Sequence, residues 1–338
     1  MTSPIVTTGT VPPAIQEYYD RVLLKRALPF LVHTKWAQKR PIEKGSGKQI
    51  RFRKYNSLAP ALQPLDEGVT PVGSSMTYTD VTATLSQYGD FITISDVVTL
   101  VSPDKILTEA VELLGEQEGE TIDLLMRNIL SAGTSVVYAN NVTSRAEVAK
   151  EVQHTDLDKI VRALKRNNVR PVTRLINPST GVGTIPVPRS YWAITHPDVG
   201  ADLMKLEANG FIPVEKYPNQ ATVLDSEIGA YKGIRFVETT NAKVFPNAGG
   251  DAASTGLIST YGAKVDVYTI LVFGAEAYGE SPLSGSTSGV IIKAHSPKDT
   301  FDVSDPLNQR STAGWKALWA GAILQDDWII RYECGAKA

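Results

Sequence analysis

Residues 102–133 read SPDKILTEAVELLGEQEGETIDLLMRNILSAG, and this stretch decides the architecture. Ser102 offers a capping hydroxyl, Pro103 fits a first helical turn, and Asp104 sets a negative charge at the positive end of the helix dipole. Leu107, Val111, Leu114, Ile122, Leu125 and Ile129 then recur on one face, interrupted by Glu118, and Gly133 ends the run. The spacing predicts a helix over about 103–132, a rod of roughly 43 Å at 1.5 Å per residue. Gly115 and Gly119 sit inside it, each costing about 1 kcal/mol relative to Ala, so they imply either close backbone packing or a bend.

The rod is acidic. It carries Asp104, Glu109, Glu112, Glu116, Glu118, Glu120 and Asp123 against Lys105 and Arg127. Just upstream the sign reverses: Lys35, Lys39, Arg40, Lys44, Lys48, Arg51, Arg53 and Lys54 face one acid, Glu43. Charged faces are commonly only solvated. A basic extended segment beside an acidic rod also suits docking between copies, where charge sets register.

In that basic segment Ile50 and Phe52 alternate with Arg51 and Arg53, predicting a strand after a turn at Gly45–Gly47. Residues 56–75 hold Pro60, Pro64, Pro71, Gly68 and Gly73 and read as irregular, and a return strand is expected over Thr77–Ile94. Together they form a long two-stranded excursion. Earlier, residues 1–13 read as an extended arm, followed by a short amphipathic helix from Pro13 to Pro29.

Beyond Asn140 helices and strands alternate. Leu157, Ile160, Val161 and Leu164 mark one helix and Pro197–Leu206 another, while Tyr191–Thr195, Gly233–Glu238 and Val265–Phe273 read as strands of a mixed sheet. Near the end, residues 315–324 and 328–333 flank Gln325-Asp326-Asp327 and read as a hairpin. The fold class is α+β.

Composition narrows the function classes. The 338 residues carry 34 Lys and Arg against 36 Asp and Glu, net charge -2, one Cys, and 42% hydrophobic residues. Length suggests about two domains at roughly 150 residues each, and the near-neutral balance argues against a dedicated nucleic-acid binder. Cys334 alone forms no intrachain disulfide, pointing to a reducing compartment. The longest apolar stretch, Val267–Ala275, is far short of the ~20 residues of a membrane span, and the start lacks a secretory pattern.

No catalytic constellation emerges. Lys44-Gly45-Ser46-Gly47-Lys48 lacks the spacing of a phosphate-binding loop. His33, His154, His196 and His295 are too scattered for a metal site, and His196 before Pro197 suits capping. Asp299, Asp302 and Asp305 lack the spacing of a calcium loop. Asp326 and Asp327 are adjacent and make no acid–base pair, and Cys334 is poorly placed for a nucleophile. The expectation is no catalytic residue, no cofactor and no metal.

Several short motifs in fixed order carry a resemblance. They are Gly47-Lys48-x-Ile50-x-Phe52-Arg53, Pro64-Leu65-Asp66-Glu67-Gly68-Val69-Thr70-Pro71, Gln87-Tyr88-Gly89-Asp90, Ser95-Asp96, Glu227-Ile228-Gly229, Gly233-x-Arg235-Phe236-Val237-Glu238-Thr239, Asp305-Pro306-Leu307-Asn308-Gln309-Arg310 and Gly314-Trp315-Lys316. This series resembles the major capsid proteins of tailed bacteriophages, in the N4-type branch. The resemblance implies the Hong Kong 97 type capsid fold: arm and short helix over 1–34, extended loop over 35–95, peripheral domain with a spine helix over 96–150, axial domain over 151–290, and a return to the peripheral domain with the C-terminal hairpin over 291–338.

It further implies a non-enzymatic subunit that self-assembles as hexamers and pentamers into an icosahedral head shell around double-stranded DNA, without sequence-specific binding or membrane. Assembly would occur in the host bacterial cytoplasm, with portal and possible decoration or scaffolding partners. An encapsulin-type nanocompartment shell and a cytosolic α+β enzyme are the rival readings. Because an extended loop cannot bury its apolar residues at home, its strands are expected to cover an adjacent subunit. Lys48, Arg51, Arg53 and Lys54 would then lie near Glu112, Glu116 and Glu120.

Overall fold

The computed structural model describes residues 31–41, 47–55, 58–62, 64, 68, 73–95, 106–176, 184–217, 223–224, 226–253, 255–281, 293–295 and 309–337. The expected arm, the first helix, half of the irregular 56–75 stretch and the Asp299–Asp305 run lie outside them. The elements are β1 (Gln38–Lys39), β2 (Gln49–Tyr55), β3 (Tyr78–Thr84), β4 (Ser86–Ser95), α1 (Ile106–Leu130), β5 (Val136–Tyr138), α2 (His154–Arg166), β6 (Val172–Ile176), β7 (Thr184–Thr195) and α3 (Pro197–Met204). They continue with β8 (Phe211–Pro213), β9 (Glu227–Tyr231), β10 (Ile234–Glu238), β11 (Val244–Phe245), β12 (Val267–Phe273), β13 (Tyr278–Glu280), β14 (Lys293–His295), β15 (Arg310–Trp319), β16 (Gly321–Ile323) and β17 (Ile329–Cys334).

A mixed sheet in the order β5-β17-β12-β7-β10-β9-β8 forms the main core, with β6 and β11 at its side. Its strands alternate faces. Tyr191, Ala193, Phe236, Ile270, Val272 and Ile330 meet Leu157, Ile160, Val161 and Leu164 of α2 and Val199 and Leu203 of α3. Trp192, Ile194, Val237, Leu271, Phe273 and Ile329 point the other way, onto Ile122, Met126 and Leu130 of α1. Covering both faces explains why β12 is buried throughout and apolar but for Thr269, whose hydroxyl donates to the Lys243 carbonyl. The two-residue turn Lys232-Gly233 between β9 and β10 has positive φ at both positions (44° and 93°), the geometry that matches strand twist in tight hairpins.

The long helix runs unbroken, with Gly115, Glu118 and Gly119 inside its buried stripe. The two glycines therefore serve packing. Its first half, through Ala110, Val111 and Leu114, lies on Ile94, Ala313, Trp315 and Ala317 of a second sheet, β14-β15-β4. The second half lies on the main sheet. A single rod thus couples two sheets.

Three expectations are corrected. The return strand over 77–94 is two strands: β3 pairs with β2, whereas β4 pairs along its whole length with β15. Buried positions explain the break, because Ala83 and Leu85 share one alternation phase and Ile94, with half-buried Tyr88 and Ile92, the other. The terminal hairpin does not form. β15 joins β4 and β14, β16 pairs with β13, and β17 inserts between β12 and β5 of the main sheet. Three sheets compete for these adjacent runs, and Ile329 and Ile330 gain burial on both faces of the central one. Finally, the base of the β2–β3 ribbon does bury its apolar side at home, as Ile50, Phe52, Ala83 and Leu85 pack with Ala320.

Candidate assembly surface

The ribbon is built from strict alternation. Ile50 and Phe52 face Ala83 and Val81 on the inner side, while Arg51, Arg53 and Tyr55 face Thr82, Asp80 and Tyr78 on the outer side. Phe52 reaches the backbone of β13: a Cβ placed on Gly279 would lie 2.6 Å from its ring. Farther out, Tyr55, Leu58, Leu62, Met76 and Tyr78 are all exposed, Leu62 to 85%. The ribbon is anchored at its base and presents apolar and aromatic surface toward its tip.

On the outer face Arg53 forks onto Asp80 at 2.9 and 3.2 Å, and its guanidinium lies 4.2 Å from the Tyr78 ring centroid. The hydrogen bond from Arg53 holds the Asp80 carboxyl below its ordinary range, helped by the charges of Arg51 and Arg40. Lys48, Arg51 and Lys54 are exposed along the same ribbon. Glu112 and Glu116 are half-buried and Glu120 exposed, at i, i+4 spacing along α1. Within one chain the acid paired to Arg53 is therefore its cross-strand neighbour, not an acid of the helix.

Residues outside the expected inter-subunit set tie the rod in place. Asp123 accepts from the backbone of Val32 and His33 at 2.8 and 2.7 Å, and its carboxylate lies 2.8 Å from His33 Nδ1. Trp36 follows, 5.0 Å from Trp192 and 5.4 Å from Phe273 between ring centroids. Glu280 is buried beside Lys39 at 3.8 Å, and burial pushes its carboxyl up to about 8. Glu118 lies buried between the two halves of the rod with both oxygens unpartnered among the described residues, and burial alone raises it to about 7.

Four of the short motifs prove to be contact pairs, while Pro64–Pro71 and Asp305–Arg310 lie largely outside the described residues. Gln87-Tyr88-Gly89-Asp90 runs antiparallel to Gly314-Trp315-Lys316, with Asp90 opposite Trp315. Glu227 receives both prongs of buried Arg235 at 2.6 Å, uniting two further motifs. His196 caps α3, its Nδ1 accepting from the Asp198 backbone at 3.3 Å, as its position before Pro197 suggested. The thiol of Cys334 is fully buried and its ionisation suppressed. Among the described residues no cluster of metal-ligating side chains occurs and no helix is long and apolar enough to cross a membrane.

Solved structures share this arrangement. The capsid of Ralstonia phage GP4 matches with a TM-score of 0.65 at 13% identity, over 87% of this chain and 85% of that one. The cyanophage Pam1 capsid matches at 0.61 and 13% identity, over 94% and 93%. An SrpI encapsulin complex from Synechococcus elongatus PCC 7942 matches at 0.52 and 13% identity, over 93% and 88%. At such identities the likeness is one of fold, and the class it defines is that of phage capsid folds. The phage capsid protein family matches residues 78–332, and the chain belongs to that family. It is a capsid protein, a structural rather than enzymatic component of the virion. A comparison with curated proteins finds no match.

Proposed function

We propose that this chain is the major capsid protein of a tailed phage of the N4-type branch, with a Hong Kong 97 type fold. Copies assemble as hexamers and pentamers into an icosahedral head shell that encloses double-stranded DNA, in the host cytoplasm and with a portal and further head proteins as partners. The expected division into extended loop, peripheral and axial domains belongs to this reading.

The carrying observation is the ribbon. Its base is fastened to β13 and β16, yet its outer half exposes Tyr55, Leu58, Leu62, Met76 and Tyr78 together. Exposed apolar surface of that extent in one projecting element is characteristic of an interaction site. A neighbouring subunit beneath the ribbon would cover it, with Lys48, Arg51, Arg53 and Lys54 set against Glu112, Glu116 and Glu120 of that neighbour.

An encapsulin-type shell is the second reading, favoured by the likeness to the SrpI complex. Particles purified from the native source separate the two: double-stranded DNA inside supports the phage head, and a protein cargo without DNA supports the nanocompartment.

A further inference from the structure

The basic ribbon is not the only cationic surface. Residues 154–170 carry Lys159, Arg162, Lys165, Arg166 and Arg170 against only Asp156 and Asp158. Both acids are already engaged. Asp156 accepts from Lys159, from the Asn140 backbone and from the buried Tyr332 hydroxyl, and Asp158 accepts from Lys232 and Tyr231. Lys159 also approaches Asn141 at 3.5 Å, and Arg162 bonds only the Asp158 carbonyl at 3.3 Å. Arg162, Lys165, Arg166 and Arg170 are exposed and have no carboxylate partner among the described residues.

Arg162 and Arg166, with Lys159, border a groove. A cavity of about 790 Å³ lies between the outer side of α2 and β5, lined by Val137, Tyr138, Thr143, Lys159, Arg162 and Arg166. Among the described residues β5 ends the main sheet, paired only to β17, so its other side opens onto the groove. Lys159, Arg162 and Arg166 follow one helical face at i, i+3 and i+7, opposite the buried stripe of Leu157, Ile160, Val161 and Leu164.

We infer that this face of α2 with the β5 groove binds the phosphate backbone of double-stranded DNA, without reading its sequence. Guanidinium forks match phosphate oxygens, and Arg162 and Arg166, exposed without a carboxylate partner among the described residues beside Lys159, suit a diffuse polyanion better than one fixed carboxylate. Asn141, also on the lining, adds an amide of the kind that contacts phosphates, while the Thr143 N–H and hydroxyl are already given to the Glu147 carboxylate, each at 3.2 Å. The assignment rests on the reading of the chain as a DNA-enclosing shell subunit, and places the outer side of α2 toward the contents.

The test is the salt dependence of binding to a random-sequence duplex by the full-length chain, at concentrations where electron microscopy shows no closed particles. The variant R162Q/R166Q should bind more weakly, and the slope of log K against log salt should become shallower by about 1.8, at about 0.9 per lost phosphate contact. R166Q alone, which spares the fold if the double variant does not, should shorten the slope by about 0.9. Unchanged affinity and slope would overturn the inference. So would polyglutamate displacing the duplex at equal charge, which would mark a docking site for acidic protein. Failure of the wild-type chain to form shells at high concentration would instead count against the proposed function, and the duplex titration reads the groove separately.

Discussion

Asp90 stands directly opposite Trp315 in the β4–β15 pair, and one side chain of the long helix fastens both. Gln117 Nε2 donates to Asp90 Oδ2 at 2.7 Å while its Oε1 accepts from Trp315 Nε1 at 3.0 Å. The strands can lie this close because Gly89 stands opposite Lys316 and Gly314 opposite Phe91; a Cβ on Gly89 would come 2.5 Å from the Trp315 carbonyl. Replacing Gln117 by Leu leaves the buried indole N–H without an acceptor, which costs about 1–3 kcal/mol. Denaturant unfolding of the Q117L chain should show that loss. The variant should also be less sensitive to acid. The Gln117 bond holds the Asp90 carboxyl below its ordinary range, so its contribution is present above the unfolded value and disappears as pH falls through the depressed one.

Glu118 gives the opposite sign. Burial raises its folded value to about 7, so between the ordinary glutamate range and pH 7 the folded chain holds a proton that the unfolded chain has released. Stability therefore falls as pH rises through that window and levels off above it. The E118M chain, which fills the same space without a charge, should be more stable than wild type at pH 8, by up to roughly 3 kcal/mol from a shift of that size. The two should converge near pH 4. Parallel melting curves from pH 4 to 8 check this, and identical pH profiles would refute it.

The Glu227–Arg235 pair is buried, bidentate and further held by Tyr217 Oη at 3.2 Å and the Leu224 backbone at 3.1 Å. Removing one partner strands a charge, at a cost of about 3–5 kcal/mol. E227Q and R235M should each destabilise strongly, and the double variant E227Q/R235M should cost clearly less than their sum. A double-mutant cycle by urea unfolding measures the difference.

Local patterning made much of this fold legible. The 3.6-residue stripes of Val111, Leu114 and Ile122 and of Leu157, Ile160 and Leu164 mark α1 and α2, and the apolar run at 267–273 marks a strand buried on both faces. What patterning missed is partner choice. Residues 315–324 and 328–333 are strand-like, but only the competition among three sheets sends β15, β16 and β17 to different partners. The ribbon's cations were visible in sequence, whereas Asp80 as the partner of Arg53 depends on register. Asp123 could not be singled out, because its partners His33 and Asn241 are about a hundred residues away in either direction.

The ribbon's charges bear on assembly more than on the subunit. The Arg53–Asp80 pair is solvent-exposed, so its loss should move the subunit melting temperature little. The R51E/R53E chain should nevertheless give a reduced yield of closed particles by sedimentation. Full yield and normal particle stability would remove these residues from the inter-subunit contact.

The central claim is that this chain builds a shell by itself or with its own head partners. Electron microscopy of the purified full-length protein tests it most directly. The account predicts capsomers or closed icosahedral particles with the ribbon of each subunit lying across the next. A uniform population of monomers under all assembly conditions, with Tyr55, Leu58 and Tyr78 still exposed to solvent, would contradict it.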